Sequence, residues 1–147
     1  MFCDVPLWLM SGPISLRFEK TVSVEPGGEL VPFYHFKIFD KDEVVVGHIN
    51  FRVGETRHVT MCAGHVGYEI HPEYRGRSYS YHACIALEPF IRRHYDHVVL
   101  TADPSNMASI RIIEKLGAAL INEIWVPEDD PAYAGGARKK KRYKWVP

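Results

Sequence analysis

The first half of the chain alternates apolar and polar residues with a period of two. Because successive side chains of a β-strand point to opposite faces of its sheet, this period predicts strands with one buried and one exposed face. The four predicted strands are "ISLRFEK" (14–20), "FYHFKIF" (33–39), "VVVGHINFRV" (44–53) and "HVGYEI" (65–70). The residues that separate the second strand from the third, "DKDE", are turn formers, so these two strands are predicted to form a hairpin.

The second half of the chain changes to the helical period. Between Ser78 and His94 the apolar residues fall at positions 79, 83, 86, 87, 90 and 91, which predicts a helix. We expect Pro89 to kink this helix, because proline removes one backbone donor. A second helix is predicted from Asn106 to Leu116, ended by Gly117. The remaining predicted elements are a strand at 97–102, a strand at 119–126, a loop at 127–137 and a final strand at 141–146.

The order of elements is therefore four strands, a helix, a strand, a helix and two strands. This order predicts an α+β fold (mixed α/β) with about seven strands and two main helices. At 147 residues the chain has the length of one domain, and no linker or repeat divides residues 1–147.

Composition narrows the function classes. The chain has 18 Lys+Arg and 18 Asp+Glu, so its overall charge indicates neither a nucleic-acid nor a membrane partner. Its 3 cysteines at scattered spacing argue against a disulfide framework, and they fit the reducing cytoplasm. Cys62 and Cys84 are interpreted as small buried apolar residues. The 8 histidines include no HxxxH pair and no cysteine partner at zinc spacing, so no metal is expected.

Two segments need an interpretation of their own. The apolar start, residues 1–10, is too short to span a bilayer and lacks the basic flank of a signal peptide, so we expect it to pack on the domain. The run "RKKKR" (138–142) is typical of a nucleic-acid or acidic-substrate site. Because it leads into an alternating strand, a solvated edge strand protected by lysines is the favoured interpretation, and nucleic-acid binding is disfavoured.

The stretch "HPEYRGRSYSYHA" (71–83) has the layout of a phosphate-binding loop. A helix N-terminus leaves four backbone N–H groups unpaired, and its dipole favours negative charge. The amides of residues 76–80 could surround a phosphate, with Arg75 and Arg77 adding positive charge. Positions 78 and 80, where such loops use glycine, hold serines. The alternative is a helix start with solvated arginines.

Two ordered motifs, "GYEIHPEYRGRSYSYHA" (67–83) and "DPSNMASIRIIEKLGA" (103–118), resemble the GNAT superfamily of acyl-CoA-dependent N-acetyltransferases. The resemblance spans about residues 64–118 and is closest to the branch of ribosomal-protein N-terminal acetyltransferases. It implies a central mixed, mostly antiparallel sheet in which two splayed strands admit the pantetheine arm. It also implies acetyl-CoA as co-substrate and a primary amine as acceptor (a protein or peptide N-terminus is one candidate). The family's usual first two helices must be shortened or missing, because residues 21–31 are too few. The acceptor side should then be open, or closed by another chain, as in a homodimer, or by residues 127–137.

The resemblance also implies a set of cofactor-binding residues. The family pattern Q/R-x-x-G-x-G/A falls on Arg75, Ser78 and Ser80, and serine keeps the amide that the phosphates would use. Asn106 matches an asparagine that contacts the pantetheine arm. Its alternative role is that of an N-cap, and the two roles are compatible. The implied set is Ile70, His71, Arg75, Gly76, Arg77, Ser78, Tyr79, Ser80, Asn106 and Ser109.

Glu69 is the candidate general base, since several relatives carry their catalytic glutamate in that position. The alternative role for Glu69 is to bind the substrate amine. The tyrosine that many relatives use to protonate the leaving sulfur is replaced by Ile113. Three hypotheses therefore remain: an N-acetyltransferase, a catalytically degenerate acyl-CoA-binding protein, and an interaction module with the same fold.

Overall fold

Eight strands and three α-helices form the part of the chain that this computed structural model describes, residues 4–147. Cys3 lies outside the described residues. The strands are β1 (Trp8–Ser11), β2 (Ile14–Val22), β3 (Phe33–Phe39), β4 (Val45–Arg52), β5 (Val66–Ile70), β6 (Val98–Ala102), β7 (Ala119–Trp125) and β8 (Lys139–Trp145). The helices are α1 (Tyr79–Ile91), α2 (Met107–Lys115) and α3 (Pro131–Ala134), with a π-helical segment (His58–Ala63) and a 3-10 turn (Pro72–Tyr74).

The first five strands form one antiparallel sheet in the order β1-β2-β3-β4-β5. The predicted hairpin of β3 and β4 is confirmed, with Phe36 opposite Ile49. Helix α1 packs on one face of this sheet, where the ring of Phe90 meets Tyr34 edge-on at 4.9 Å. The alternating pattern decides which face is buried: Tyr34, Phe36 and Ile38 enter the core. The opposite face carries His35 and Lys37 of β3, together with Phe33 and Phe39.

The last three strands form a second sheet in the order β6-β8-β7. The prediction that residues 138–142 form a solvated edge strand is wrong, because β8 is the central strand and pairs with a neighbour on each side. Its cations are instead accommodated by neighbouring groups. Lys139 lies 3.8 Å from Glu123 and 4.3 Å from the centre of the Trp125 ring.

The two sheets touch where β5 and β6 begin and separate farther along. The amide of His65 donates to the carbonyl of Val99 at 2.8 Å, and the amide of Val99 donates to Nδ1 of His65 at 3.0 Å. No strand pairing joins β5 to β6 beyond this point in residues 4–147. The strands therefore splay apart toward their carboxyl ends, as the resemblance implied.

The predicted α+β class and the missing helices are confirmed: residues 23–32, between β2 and β3, hold only turns and irregular chain. Residues 1–3 of the N-terminal segment lie outside the described residues, and Trp8–Ser11 pack on the domain as an additional strand, β1, paired with β2. Within residues 4–147, no helix is both long and apolar enough to cross a membrane.

Candidate active site

A cleft of about 830 Å³ lies in the opening between β5 and β6. One end is bordered by the loop before α1 and by the start of α2, and the other by the π-helical segment and α3. Of the residues proposed from sequence, Glu69, Ile70, Arg75, Gly76, Ser78, Tyr79, Ser80, Asn106 and Ser109 line this cleft, whereas His71 and Arg77 do not. The amide of His71 instead donates to the carbonyl of Val46.

The loop before α1 has the backbone conformation of a glycine-rich turn. Gly76 has φ +83° and Ser78, the N-cap of α1, has φ 60° and ψ 23°, both in the left-handed region. A residue with a Cβ pays about 1–2 kcal/mol to adopt this backbone conformation, whereas glycine does not, so Ser78 occupies a position suited to glycine. The Ser78 side chain makes no capping hydrogen bond to the helix. The first amides of α1 therefore remain without a side-chain cap at the edge of the cleft.

Two arginines flank this turn with different contacts. Arg75 donates from Nε to the carbonyl of Ile70 at 2.9 Å, which fixes the turn against the end of β5 and keeps the guanidinium at the cleft. Arg77 is exposed and lies 5.8 Å from the ring centre of Tyr74. Only the first of the two arginines is positioned by the strand.

Asn106 is the N-cap of helix α2, as its sequence position suggested. The side-chain oxygen of Asn106 accepts a hydrogen bond from the amide of Ser109 at 3.1 Å. The hydroxyl of Ser109 lies 2.9 Å from the hydroxyl of Tyr68 on β5. Burial raises the pKa of Tyr68 to about 12, so this hydroxyl stays protonated at neutral pH. The bond ties α2 to β5 across the cleft.

Glu69 stands on the polar face of β5, opposite Tyr68 and Ile70, and its side chain is exposed. It is paired across the sheet with His48 of β4. Burial lowers the pKa of His48, and the nearby His35 lowers it further, so His48 is mostly neutral at pH 7. The carboxylate thus lies at the cleft on the face away from α1.

The π-helical segment and α3 border the end of the cleft beyond Glu69, and the periodicity of the sequence predicted neither of them. The π-helical segment and α3 are joined by a hydrogen bond of 2.8 Å between Nδ1 of His58 and Oδ1 of Asp130, whose side chain is 1% exposed. Burial opposes ionisation of Asp130, but the Ala132 amide and His58 outweigh it and lower its pKa. Next to them, burial and the charge of Asp130 raise the pKa of the Cys62 thiol to about 11. Through Ala132, residues 127–137 thus border this end of the cleft.

Two cations at this end of the cleft were also missed. Arg52 lies on the polar face of β4, and Lys140 lies on β8; both line the cleft. The alternation in "VVVGHINFRV" placed Arg52 on the polar face, but nothing local indicated that this face borders a cleft. Lys140 was missed because its run was interpreted as an edge strand.

The comparisons with known proteins identify the family and the fold. The family model described as an acetyltransferase (GNAT) domain matches residues 17–119, well over half of the chain. The chain therefore belongs to the GNAT acetyltransferase family. No curated protein sequence matches it significantly.

Solved structures show the same fold at low identity. A GNAT-family acetyltransferase from Bacillus anthracis is 16% identical, with a TM-score of 0.65, over 95% of this chain and 98% of the other. An acetyltransferase from Salmonella typhimurium that modifies the N-terminal serine of ribosomal protein L7/L12 is 16% identical, with a TM-score of 0.59, over 78% of this chain and 64% of the other. The microcin C7 self-immunity acetyltransferase MccE, in complex with acetyl-CoA and AMP, is 15% identical, with a TM-score of 0.60, over 78% and 61%.

Proposed function

We propose that this protein transfers an acetyl group from acetyl-CoA to a primary amine. The observation that carries the proposal is the uncapped N-terminus of α1 at one end of the cleft between β5 and β6. A helix N-terminus attracts anions through its free amides and its dipole, and coenzyme A carries a pyrophosphate. The separated strands leave room beside it for the pantetheine arm.

The residues present fit this cofactor. The left-handed backbone at Gly76 and Ser78 leaves the amides of 76–80 free to surround the pyrophosphate, with the Arg75 guanidinium adding charge. Asn106 and Ser109 line the opposite wall, where the pantetheine arm would pass. His71 and Arg77 were in the predicted set, and their positions outside the cleft give them at most a peripheral role.

Glu69 is proposed as the general base. It would take a proton, directly or through a water, from the acceptor ammonium, since only the neutral amine is a nucleophile. The amine then forms a bond to the acetyl carbonyl carbon while the carbon–sulfur bond breaks. Strand amides at Ile70 and nearby would stabilise the charge that develops on the carbonyl oxygen.

The position in the last helix where relatives carry a tyrosine acid holds Ile113, a buried core residue, so no acid at that position protonates the leaving thiolate. A thiol with a pKa of about 8.5 leaves acceptably without an acid, so solvent can supply the proton. The catalytically degenerate acyl-CoA-binding protein is the second candidate, and this missing acid together with Ser78 and Ser80 favours it.

A protein or peptide N-terminus is our candidate acceptor, because the similar Salmonella protein modifies one. An α-amine has a pKa of about 7.7–8.0, against about 10.4 for lysine, so a base deprotonates it more readily.

Two buried free thiols, Cys62 and Cys84, fit a reducing cytoplasm.

The test is turnover. Purified protein is incubated with acetyl-CoA and a panel of peptides and small amines, and acetylated products are identified by mass spectrometry. Product that requires both protein and acetyl-CoA supports the transferase. Binding of coenzyme A without product from any amine would support the degenerate alternative instead.

A further inference from the structure

Two cationic residues of the cleft that the sequence did not predict, Arg52 and Lys140, suggest the chemistry of the acceptor. Arg52 is partly buried, and burial lowers its pKa. No carboxylate lies within ion-pair distance of it among residues 4–147. A guanidinium withdrawn from water without a counter-charge is costly, unless a ligand supplies the charge.

The position of Arg52 is fixed from two sides. Its Nη1 donates to the carbonyls of Ala63 and Gly64, at 3.3 and 3.1 Å. Its guanidinium lies over Gly67 of β5, where a Cβ would be only 2.9 Å from Nη2, so a larger residue there would displace the guanidinium. The Nε and Nη2 donors have no protein acceptor in the described part of the chain. They remain for a ligand.

Arg52 stands beside the proposed base. Residues 67 and 69 point to the same face of β5, about 7 Å apart along the strand. A substrate whose amine is bound at Glu69 could therefore reach the Arg52 guanidinium with an anionic group that a short spacer joins to the amine.

Lys140 adds positive charge to the same cleft. It lies close enough to the Cys62 thiol to oppose the rise in the pKa of Cys62, and Cys62 directly precedes the carbonyls that hold Arg52. Lys140 forms no ion pair among the described residues. Glu69 is the one carboxylate among the residues that line the cleft, against four cations: Arg52, Arg75, Arg111 and Lys140.

We propose that the acceptor is a primary amine that also carries an anionic oxygen group, a carboxylate or a phosphate, bound by Arg52 and Lys140. This inference rests on the proposed transferase function and names the substrate class of the same site. Arg52 and Lys140 act as specificity-determining residues and take no part in the proton transfer.

The test compares acceptors that differ only in the anionic group. One pair is the peptides Ser-Asp-Gly and Ser-Asn-Gly, each with an amidated C-terminus; the other is phosphoethanolamine and ethanolamine. Because hydrogen bonds to charged groups are stronger than neutral ones, we expect kcat/KM to favour the acidic member of at least one pair by about 10- to 100-fold. A preference in the peptide pair identifies a carboxylate, and one in the other pair identifies a phosphate.

Variants link the preference to the residues. Lys140→Gln and Arg52→Lys should each reduce the preference severalfold, the second because lysine lacks the planar fork of arginine. Lys144→Gln, on the same strand but exposed and away from the cleft, is the matched control. Thermal melts check that Arg52→Lys, which loses contacts to Ala63 and Gly64, still folds. Equal rates for both members of both pairs, or a preference unchanged in both variants, would overturn the inference.

The two proposals fail in different ways. If no amine is acetylated, the same pairs are titrated by calorimetry in the presence of coenzyme A. Tighter binding of an acidic member, lost in Lys140→Gln, would keep the anionic site while the transferase proposal fails. Transfer without discrimination would overturn the anionic site alone.

Discussion

The hydroxyl of Tyr68 on β5 lies 2.9 Å from the hydroxyl of Ser109 on α2. These residues belong to opposite walls of the cleft, and in their neighbourhood no strand pairing joins the two sheets. The bond therefore contributes to the width of the opening that would hold the cofactor.

Tyr68→Phe and Ser109→Ala should each lower the free energy of unfolding by about 1 kcal/mol, because each leaves a partly buried hydroxyl unpaired or removes it. The double variant should lose less than the sum, since the two residues share one bond. Urea denaturation of the four proteins measures this cycle. Strictly additive losses would show that the bond contributes nothing to stability.

The backbone of Ser78 leads to a second prediction. Its φ of 60° suits glycine and disfavours branched side chains most. Ser78→Val should lower the free energy of unfolding by about 1–2 kcal/mol and weaken coenzyme A binding, because the turn must shift. Ser78→Gly should keep the affinity and the stability, or raise the stability by up to about 1 kcal/mol. Equal affinities for the valine and glycine variants would contradict the assignment of these amides to the phosphates.

Glu69→Gln tests the proposed base. It should lower kcat by about 100-fold or more while leaving the dissociation constant of coenzyme A unchanged, because we propose that the carboxylate contacts the acceptor and not the cofactor. Glu73→Gln is the control, since Glu73 is exposed on the 3-10 turn and lies outside the cleft. A raised KM with unchanged kcat would assign Glu69 to amine binding, the alternative role. An unchanged rate would remove it from the mechanism.

Asp130 should make the free energy of unfolding decrease at acidic pH. Its pKa is lowered from an ordinary 3.8, so its contribution is complete above that value and is lost as the pH falls through the lower pKa of the folded state. At pH 7, Asp130→Asn should cost about 1–3 kcal/mol, because it weakens a buried bond to His58.

Asp129→Asn serves as the comparison, because the neighbouring Asp129 pairs with Arg57 at the exposed surface. It should cost less than about 1 kcal/mol. The deficit of Asp130→Asn should shrink below pH 3.8, as measured by urea denaturation at several pH values. A deficit that stays constant down to the acid transition would contradict the lowered pKa.

The sequence predicted those parts of the fold whose residues carry a local period. Both long helices, the hairpin of β3 and β4 and the turn around Gly76 follow from apolar spacing and glycine. β1 was not predicted as a strand because it is short and follows Pro6. The π-helical segment has no strand or α-helix period, so the wall that holds His58 could not be found from its pattern.

The position of β8 could not be predicted because strand order is set by tertiary packing. Lysines mark exposed edges only when no neighbour accommodates them, and here Trp125 and Glu123 do so for Lys139. That one error also hid Lys140 from the candidate site. The proposed cofactor side was predictable because the motif around Arg75 is local in sequence. The proposed acceptor side was not, because it combines residues of β4, the π-helical segment, α3 and β8, which are far apart in the chain.

The most direct test of the central claim is a thermal melt with and without acetyl-CoA. At a ligand concentration of 100 times Kd, binding adds about 2.7 kcal/mol of stability. For a domain of this length we expect a rise in Tm on the order of 5–10 °C, shared by free coenzyme A. No shift at millimolar acetyl-CoA would mean that the turn with Ser78 and Ser80 binds no pyrophosphate, and it would contradict the account.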